Sequence, residues 1–528
     1  MELPSQEVAD LAFGLFDRYG RLDHDYYEHE FRKGTGVWGK ELDEGDLLLF
    51  KSLKVDPAFR RRGLGTKIVN AILEKARTKV DKSVGFFAIA KPGVLLSGSE
   101  RSGMAPEEKQ PTIERMMRIS TSFWRSLGFR RVGTSAWFAR AESPEHPSRH
   151  VELAQDWEGP DDAAATLSDD LERLFGKLAD PTADELECIN DVRKTFLDDH
   201  EGQQWQAFDR DGNTLLHIAA MSSKPELVKF VLSKVSHLAR MRNKEGYTPL
   251  EALQNKLERQ RTRESDGHRF SVRSDAFGGF GPSSIASLAA FENSNAFDLS
   301  TLSLQDIEAI SSTTDQEINM NPQLDIAGIR KTLRLKYGCT CGKCVGGFLS
   351  PRMSLALLCV AEIEYDILKD SMSLTGPGWV NYNGDLLTYL PDNVRENMKT
   401  NKSMREGFSN MFDHFAQCLR QGVLPTEQTV LDVLRLERSE WPPVTRNFLQ
   451  RGGTVASVST MIFEMAMNDD EWAGDGSHRD TFGGEIDALV ECRNDHEFGF
   501  VSGMCGYKRI RPDTSCFVDT DGEVLNLD

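Results

Sequence analysis

The sequence predicts a multidomain protein in which an α+β N-terminal domain precedes α-helical repeats and a mainly helical C-terminal region. The chain has 528 residues, enough for about three or four domains with separate cores. Near the N-terminus, residues 47–79 read as a strand, a glycine-containing turn and a helix. Farther on, one motif recurs after about 34 residues, and helical periodicity dominates residues 351–468.

Changes in composition place the domain boundaries. Residues 151–200 contain fifteen Asp or Glu against four Lys or Arg, which indicates an acidic linker running into helices. A later stretch rich in Gly, Ser and Asn indicates a flexible linker. The predicted units are residues 1–142 (α+β domain), 143–170 (acidic linker), 171–260 (repeats), 261–325 (flexible linker) and 326–528 (helical region).

The overall composition indicates in which cellular compartment the protein resides and which classes of partner it can bind. Charged residues make up 27% and apolar residues 39%, as in soluble multidomain proteins. No apolar run reaches the ~20 residues that span a bilayer, and the first ten residues lack the pattern of a signal peptide. Nine cysteines, an odd number in a long chain, favour a reducing compartment. We therefore expect a cytoplasmic or nuclear protein without a membrane partner, and the net charge of −19 argues against general nucleic-acid binding.

The N-terminal domain is organised around residues 47–79. Residues 47–50 form an apolar run that predicts a strand, continued by Leu53 and Val55 in alternation with polar residues and ended by Pro57. Upstream, residues 11–16 are also predicted to form a strand. A helix is predicted from about Gly65 onward. The positions expected on its core face are Ile68, Val69, Ile72, Leu73 and Ala76.

The turn between this strand and helix has the chemistry of an anion site. Backbone amides at a helix N-terminus lack partners, and glycine permits close approach of a ligand, so the turn suits a pyrophosphate. Residues 51–79 hold nine Lys or Arg and two acids in an otherwise acidic chain. The order Gly65-Thr66-Lys67 does not fit a nucleotide P-loop, and Ile68 stands where a dinucleotide fingerprint needs Gly or Ala.

The turn resembles the acetyl-CoA motif of the GNAT acetyltransferases, in which Arg or Gln, two residues, Gly, one residue and Gly or Ala follow a strand ending in Val-x-Pro. Arg60, Gly63 and Gly65 match this motif after Val55. Residues 123–129, FWRSLGF, resemble the family's second signature, a helix ending in Tyr-x-x-x-Gly-Phe. Residues 85–91 supply the strand between the two signatures, and a strand is expected over 129–139.

The resemblance implies an acetyltransferase that moves an acetyl group from acetyl-CoA to an amine. It places the pantetheine arm beside the strand backbone and the pyrophosphate on the turn amides. The cofactor-binding residues that it implies are Leu53, Lys54, Val55, Arg60, Arg61, Arg62, Gly63, Leu64, Gly65 and Thr66.

Two positions depart from the catalytic pattern of the family. The position where the family often has a Tyr that protonates the leaving thiolate is Trp124, whose indole N–H does not titrate usefully. Residues 47–50 contain no carboxylate to serve as a base, although Glu44 and Asp46 lie just before them. The catalytic residues are therefore not assigned. The alternative is a non-catalytic interaction protein with a degenerate CoA-binding domain.

The motif that recurs after about 34 residues resembles the ankyrin repeat. Residues 211–220, DGNTLLHIAA, are similar to an ankyrin turn and inner helix, residues 226–232 to the outer helix, and residues 245–253 to the start of a second copy. The resemblance implies a protein partner recruited by the repeats. His217 is in the position where an ankyrin histidine bonds neighbouring turns, and we assign it that structural role. Because two copies are few, we expect the helix over 185–197 to act as an atypical repeat.

Three cysteines, Cys339, Cys341 and Cys344, lie within six residues and form a second candidate site. Gly342 allows a sharp turn, Lys343 favours thiolate, and three thiolates can supply three ligands of a tetrahedral zinc ion. The alternative is a set of buried or reactive thiols without metal. A fourth ligand has to come from elsewhere in the chain. Its candidates are Cys492, His496, Cys505 and Cys516.

Overall fold

The fold is given by a computed structural model. It describes residues 5–80, 85–94, 106–157, 167–196, 204–265, 270–272, 274–300, 302–312, 325–436, 441–471, 484–486 and 488–510. The middle of the predicted acidic linker and the candidate ligand Cys516 lie outside these residues. No helix in the described ranges is long and apolar enough to cross a membrane.

The first unit is a four-stranded mixed sheet with helices on both faces. Its elements are α1 (Gln6–Leu15), β1 (Asp46–Phe50), α2 (Leu64–Arg77), β2 (Phe86–Ala90), α3 (Pro106–Ser126), β3 (Arg130–Arg131) and β4 (Phe138–Ala141). The strand order is β1-β2-β4-β3. β1 and β2 are parallel, joined by a connection that contains α2, whereas β4 is antiparallel to both β2 and β3.

Strand β2 is one of the two inner strands of this sheet, and all five of its residues are buried. Phe87 and Ile89 face a core formed with α1 and residues 16–42, whereas Phe86, Ala88 and Ala90 face a core formed with α2 and α3. The period-2 alternation of a strand therefore divides two hydrophobic cores between the faces of one sheet.

The N-terminal unit differs from the predicted pattern in four places. The strand expected over 129–139 is divided into β3 and β4, because a turn over residues 133–136 interrupts it and lets the two strands pair. Residues 11–16 were predicted as a strand, but most of them lie in α1, because Leu11 and Leu15 are four residues apart and bury one helical face. β1 ends at Phe50, and residues 51–56 continue without a strand partner. On α2, Val69 and Leu73 are buried as expected, but Ile68 and Ile72 are exposed.

The second unit is a set of paired helices. It comprises α4 (Asp169–Ala179), α5 (Glu185–Phe196), α6 (Leu215–Met221), α7 (Pro225–Lys234) and α8 (Pro249–Thr262). These helices share one core, in which α6 supplies six consecutive buried residues. Helices α6 and α8 pack against each other.

Two turns of this unit have the same hydrogen bonds 34 residues apart. The amide of Gly212 donates to the carbonyl of Asp209 at 3.0 Å, and the amide of Gly246 donates to the carbonyl of Asn243 at 2.9 Å. Both glycines have positive φ, 77° and 86°, which favours glycine at these positions. Asn243 also donates to the side chain of Asn213 at 2.9 Å, so the two turns are joined side by side.

The second turn also contacts the N-terminal unit. The hydroxyl of Tyr247 donates to the carboxylate of Asp25 at 2.6 Å, and the guanidinium of Arg32 lies 4.4 Å from the centre of the Tyr247 ring. His29 lies 3.4 Å from Glu251. We call this contact the repeat interface.

The described part of 261–325, which was predicted as a flexible linker, is partly ordered. It contains the hairpin β5 (Arg263–Ser265) and β6 (Phe270–Val272) and the helices α9 (Pro282–Phe291) and α10 (Leu304–Ser312). Leu288 and Ala290 pack into the core of the second unit, and Ile307 and Ile310 into that of the third. The apolar side chains of these helices therefore pack into hydrophobic cores, although Ser and Asn surround them in the sequence.

The third unit is helical, as predicted. Its helices are α11 (Ile326–Lys336), α12 (Pro351–Asp370), α13 (Gly376–Tyr382), α14 (Asp392–Thr400), α15 (Lys402–Arg420), α16 (Glu427–Leu436), α17 (Val444–Gln450), α18 (Val455–Glu471) and α19 (Phe498–Met504). α15 lies at the centre of the largest hydrophobic core of the protein and buries Phe408, Phe412 and Phe415. The Phe and Met stripe of this helix is thus core, as its spacing indicates.

The two adjacent residues Leu73 and Ile72 of α2 give a matched test of this packing. Leu73 is 3% exposed and Ile72 is 39% exposed. We expect Leu73→Ala to lower the free energy of unfolding of the N-terminal unit by about 2–5 kcal/mol, because it leaves a cavity. Ile72→Ala should change it by no more than about 0.5 kcal/mol. Hydrogen exchange of the β2 amides in the full chain measures both, and equal effects would contradict the assigned burial.

Candidate functional site

The three clustered cysteines lie in the connection between α11 and α12. Helix α11 ends in a turn where the amide of Cys339 donates to the carbonyl of Arg334 at 2.9 Å. Gly342 has a φ of 69°, so the chain reverses between the second and third cysteines. This local geometry directs three thiols to one side of the turn.

Cys492 completes the cluster from the C-terminal part of the chain. The Sγ atoms of Cys339 and Cys341 are 3.6 Å apart, those of Cys341 and Cys344 are 3.7 Å apart, and those of Cys344 and Cys492 are 3.5 Å apart. All four sulfurs lie within 4.8 Å of one another, and the cluster can hold a metal ion. A zinc ion with four sulfur ligands at about 2.3 Å needs sulfur separations of about 3.8 Å, close to those observed.

Two N–H groups lie beside sulfurs of the cluster. The amide of Lys343 lies 3.4 Å from the sulfur of Cys341, and the side-chain amide of Asn494 lies 3.7 Å from the sulfur of Cys344. Such donors stabilise negative charge on sulfur. Hydrogen bonding with Cys341 lowers the pKa of Cys339, whereas hydrogen bonding with Cys339 raises the pKa of Cys344. The protons of the four thiols are thus interdependent, and a metal ion would displace them together.

The other candidate ligands lie elsewhere. His496 contacts Tyr19 and Arg21 of the N-terminal unit. Cys505 is buried in the apolar core of the third unit, where burial raises the pKa of its thiol. Two of the four candidates are therefore excluded from the cluster by position, and Cys516 lies outside the described residues.

The arginine-rich turn connects β1 to α2, and most of its described side chains are exposed. Arg61 and Gly63 have positive φ values of 58° and 74°. Alternation of this kind turns successive backbone N–H groups toward one concave surface that binds anions. Gly63 occupies the N-cap of α2 and provides no side-chain cap. The first amides of the helix are therefore open to a ligand.

The predicted cofactor residues differ in what their side chains contact. Arg60 turns back and donates from Nε to the carbonyl of Val55 at 2.8 Å, so it braces the turn. Leu53 is half-buried and packs with α2 and α3 in their common core. Lys54, Arg61 and Arg62 are exposed and contribute positive charge to the surface.

The pairing of the two parallel strands ends beside this turn. Pairing ends at Phe50 and Ala90, after which residues 51–56 and 91–94 continue without strand partners. The carboxyl ends of parallel strands are the usual place for ligands in sheets of this kind. The turn, the helix N-terminus and the strand ends thus meet at one edge.

Trp124 packs against Phe50, the last residue of β1, from inside the core. It is buried, and its ring lies 5.3 Å from the ring of Phe50 and 5.0 Å from that of Phe129, measured between centroids. Phe123, the preceding residue, is the one that packs beside Gly65 at the start of α2. Trp124 is therefore a core residue.

His217 is fully buried in the second unit. The amide of Thr214 donates to Nδ1 at 3.1 Å, so Nδ1 is unprotonated and Nε2 carries the hydrogen. Nε2 then donates to the carbonyl of Tyr247 at 2.9 Å and joins the two turns. Burial lowers the pKa of His217 to about 4. This geometry confirms the structural role assigned from the sequence.

Comparisons with known proteins identify no family for this chain. No protein-family model matches the chain, and neither curated proteins nor solved structures gave a match.

The neutral state of His217 predicts a pH dependence. Its pKa is about 4 in the folded protein and about 6.5 in the unfolded chain, so the unfolded state binds more protons between these values. Stability is therefore full above pH 6.5 and falls as the pH decreases toward 4. Between pH 7 and pH 5 we expect a loss of about 2 kcal/mol in the opening free energy of α6, measured by hydrogen exchange. His217→Gln should remove this pH-dependent loss of opening free energy. Equal pH slopes for the wild-type and variant proteins would contradict the assigned pKa.

Proposed function

We propose that the N-terminal unit binds acetyl-CoA and transfers its acetyl group to an amine. The observation that carries this proposal is the β1–α2–β2 unit, in which an exposed basic turn with two positive-φ residues lies at the carboxyl ends of two parallel strands. The resemblance of Arg60, Gly63 and Gly65 to the GNAT motif supports the same reading.

The charge of the turn suits the phosphates of this cosubstrate. Arg61, Arg62, Lys54 and Lys67 are exposed around it, and the acid of the turn, Asp56, is engaged with the amide of Ala58 at 2.9 Å. Phosphate oxygens would accept hydrogen bonds from the open amides of α2 and be attracted by these side chains.

The chain's backbone would assist the acetyl transfer. The amine nitrogen attacks the thioester carbon, the bond from that carbon to sulfur breaks, the thiolate gains a proton and the amine loses one. Residues 51–55 lack a strand partner, so their amides can hold the extended arm and polarise the thioester carbonyl. A water chain would carry the protons, because Trp124 is a core residue.

A second candidate function is a non-catalytic protein that recruits a partner through the repeats. The burial of Trp124 favours this candidate, because no titratable group replaces the family's tyrosine at this position. The two stacked turns favour the ankyrin resemblance on which the recruitment of a protein partner depends. Loss of acetyl transfer with retained CoA binding would distinguish the two functions.

We also propose that the four cysteines bind one structural zinc ion. Four thiolates in a tetrahedral arrangement are a ligand set that zinc prefers, and four protein ligands leave no open position for a substrate. The sulfur separations and the N–H donors around them support this proposal.

Cosubstrate binding is tested by charge reversal at the two ends of α2. Full-length protein is titrated with acetyl-CoA in a thermal-shift assay; a ligand at a hundredfold excess over its dissociation constant raises stability by about 2.7 kcal/mol. Arg62→Glu should weaken binding at least about tenfold, because it places an acid beside the phosphates. Lys79→Glu makes the same charge change beyond the far end of the helix and should bind normally. Equal affinity in both variants, or no shift in wild type, would contradict the site.

Zinc binding is tested by metal analysis of the purified chain. We expect one zinc per chain in wild type and less than about a tenth of that in Cys492→Ser, because three ligands hold a structural zinc poorly. Cys505→Ala, which removes a thiol from the apolar core outside the cluster, should keep the full amount. Zinc retained in Cys492→Ser, or absent from wild type, would exclude the proposed four-cysteine site.

A further inference from the structure

Residues 491–497, which we call the junction segment, contact all three units of the protein. Glu491 lies 3.2 Å from the amine of Lys40 in the first unit and 2.9 Å from the guanidinium of Arg352 in the third. The side chain of Arg493 approaches the carbonyl of Gln254 in the second unit at 3.4 Å. Cys492 lies between these two residues and carries the fourth sulfur of the cluster.

The other end of the segment holds residues 18–21 of the first unit. The hydroxyl of Tyr19 donates to the carbonyl of His496 at 2.5 Å, and the ring of His496 pairs with Arg21. Glu497 lies 3.6 Å from Arg18. These contacts are separate from the repeat interface at residues 25–32.

Glu497 also joins the first unit to the second through buried charge. It is 2% exposed and lies 3.4 Å from Arg261, whose side chain is fully buried. The guanidinium of Arg261 lies 5.2 Å from the centre of the Phe277 ring and 5.7 Å from that of Phe500. Arg261 also has Glu258 at 3.7 Å, and Glu497 is the carboxylate that Arg18 and Arg261 share. Buried charges need partners, so the position of Glu497 matters for both arginines.

Apart from its sulfur, the segment has few direct bonds to the cysteine turn, and Arg352 at the start of α12 also holds it through Glu491 at 2.9 Å and Asp495 at 3.9 Å. The segment has no helix or strand, and its direct bonds to this turn are an amide of Arg493 on Thr340 at 3.2 Å and the long contacts of Asn494 with Cys344 and Gly347, at 3.7 and 3.5 Å. A metal bound by Cys492 and the three cysteines of the turn would add a much stronger connection.

We propose that the metal site is a clamp that docks residues 17–22 of the N-terminal unit against the rest of the protein. This proposal rests on the zinc site proposed above. In it, a thiophilic divalent cation is the ligand that regulates the docking of the N-terminal unit. Bound metal fixes Cys492 and thereby sets Glu491, His496 and Glu497 against the first unit. Loss of metal frees the junction segment and opens this contact, while the repeat interface stays closed.

Hydrogen exchange of the full-length protein tests the clamp. The zinc-loaded chain is compared with the same chain after chelation and after return of one equivalent of zinc. We expect exchange in peptides covering residues 17–22 to accelerate at least about tenfold on chelation and to recover with zinc, because the contact opens locally. Peptides covering residues 25–32 and strand β2 are internal controls and should change less than about twofold.

Two variants separate the clamp from the metal site itself. Cys492→Ser should lose zinc and show the fast exchange of the chelated protein, whereas Glu497→Gln should keep zinc and still accelerate exchange at residues 17–22. If the purified chain holds no zinc, the zinc proposal fails and the clamp fails with it. If zinc binds but its removal leaves residues 17–22 unchanged, or accelerates β2 equally, the clamp is overturned while the zinc site stands.

Discussion

Four thiol groups from two distant parts of the chain lie within 4.8 Å of one another, and the segment that carries one of them contacts all three units. Closely packed thiols without metal must share protons, whereas a divalent cation gives all four sulfurs a common partner. The segment carrying Cys492 continues to Glu497, which is buried beside Arg18 and Arg261. The cysteine cluster and the buried charges therefore constrain the same seven residues.

Local features of the sequence predicted much of the helical structure. The spacing of the two motifs predicted the repeated turns at Gly212 and Gly246, and the residues around His217 predicted its structural role. Both predictions were possible because the residues that define a repeat lie within about 34 positions of one another. The helix α1 was missed, although the spacing of Leu11 and Leu15 indicates it. Exposure of Ile68 and Ile72 could not be predicted, because it depends on which neighbouring elements cover α2.

The two candidate sites differed in how far the sequence could define them. All residues of the arginine-rich turn are contiguous, so the hydrophobic pattern of the sequence predicted its position after a strand and before a helix. The same pattern could not predict the positive φ of Arg61. The cysteine cluster needed a fourth ligand 148 residues from Cys344, and the sequence left four candidates. Selection of Cys492 required the tertiary fold, since no local period connects the two segments.

X-ray absorption at the zinc edge of the purified full-length protein tests the metal-centred account most directly. Four cysteine ligands predict a single shell of four sulfur atoms at about 2.3 Å, with no nitrogen or oxygen ligand. The same spectrum from Cys505→Ala should be unchanged. A shell that contains nitrogen or oxygen, or that has fewer than four sulfurs, would contradict the assignment of Cys339, Cys341, Cys344 and Cys492 as one metal site.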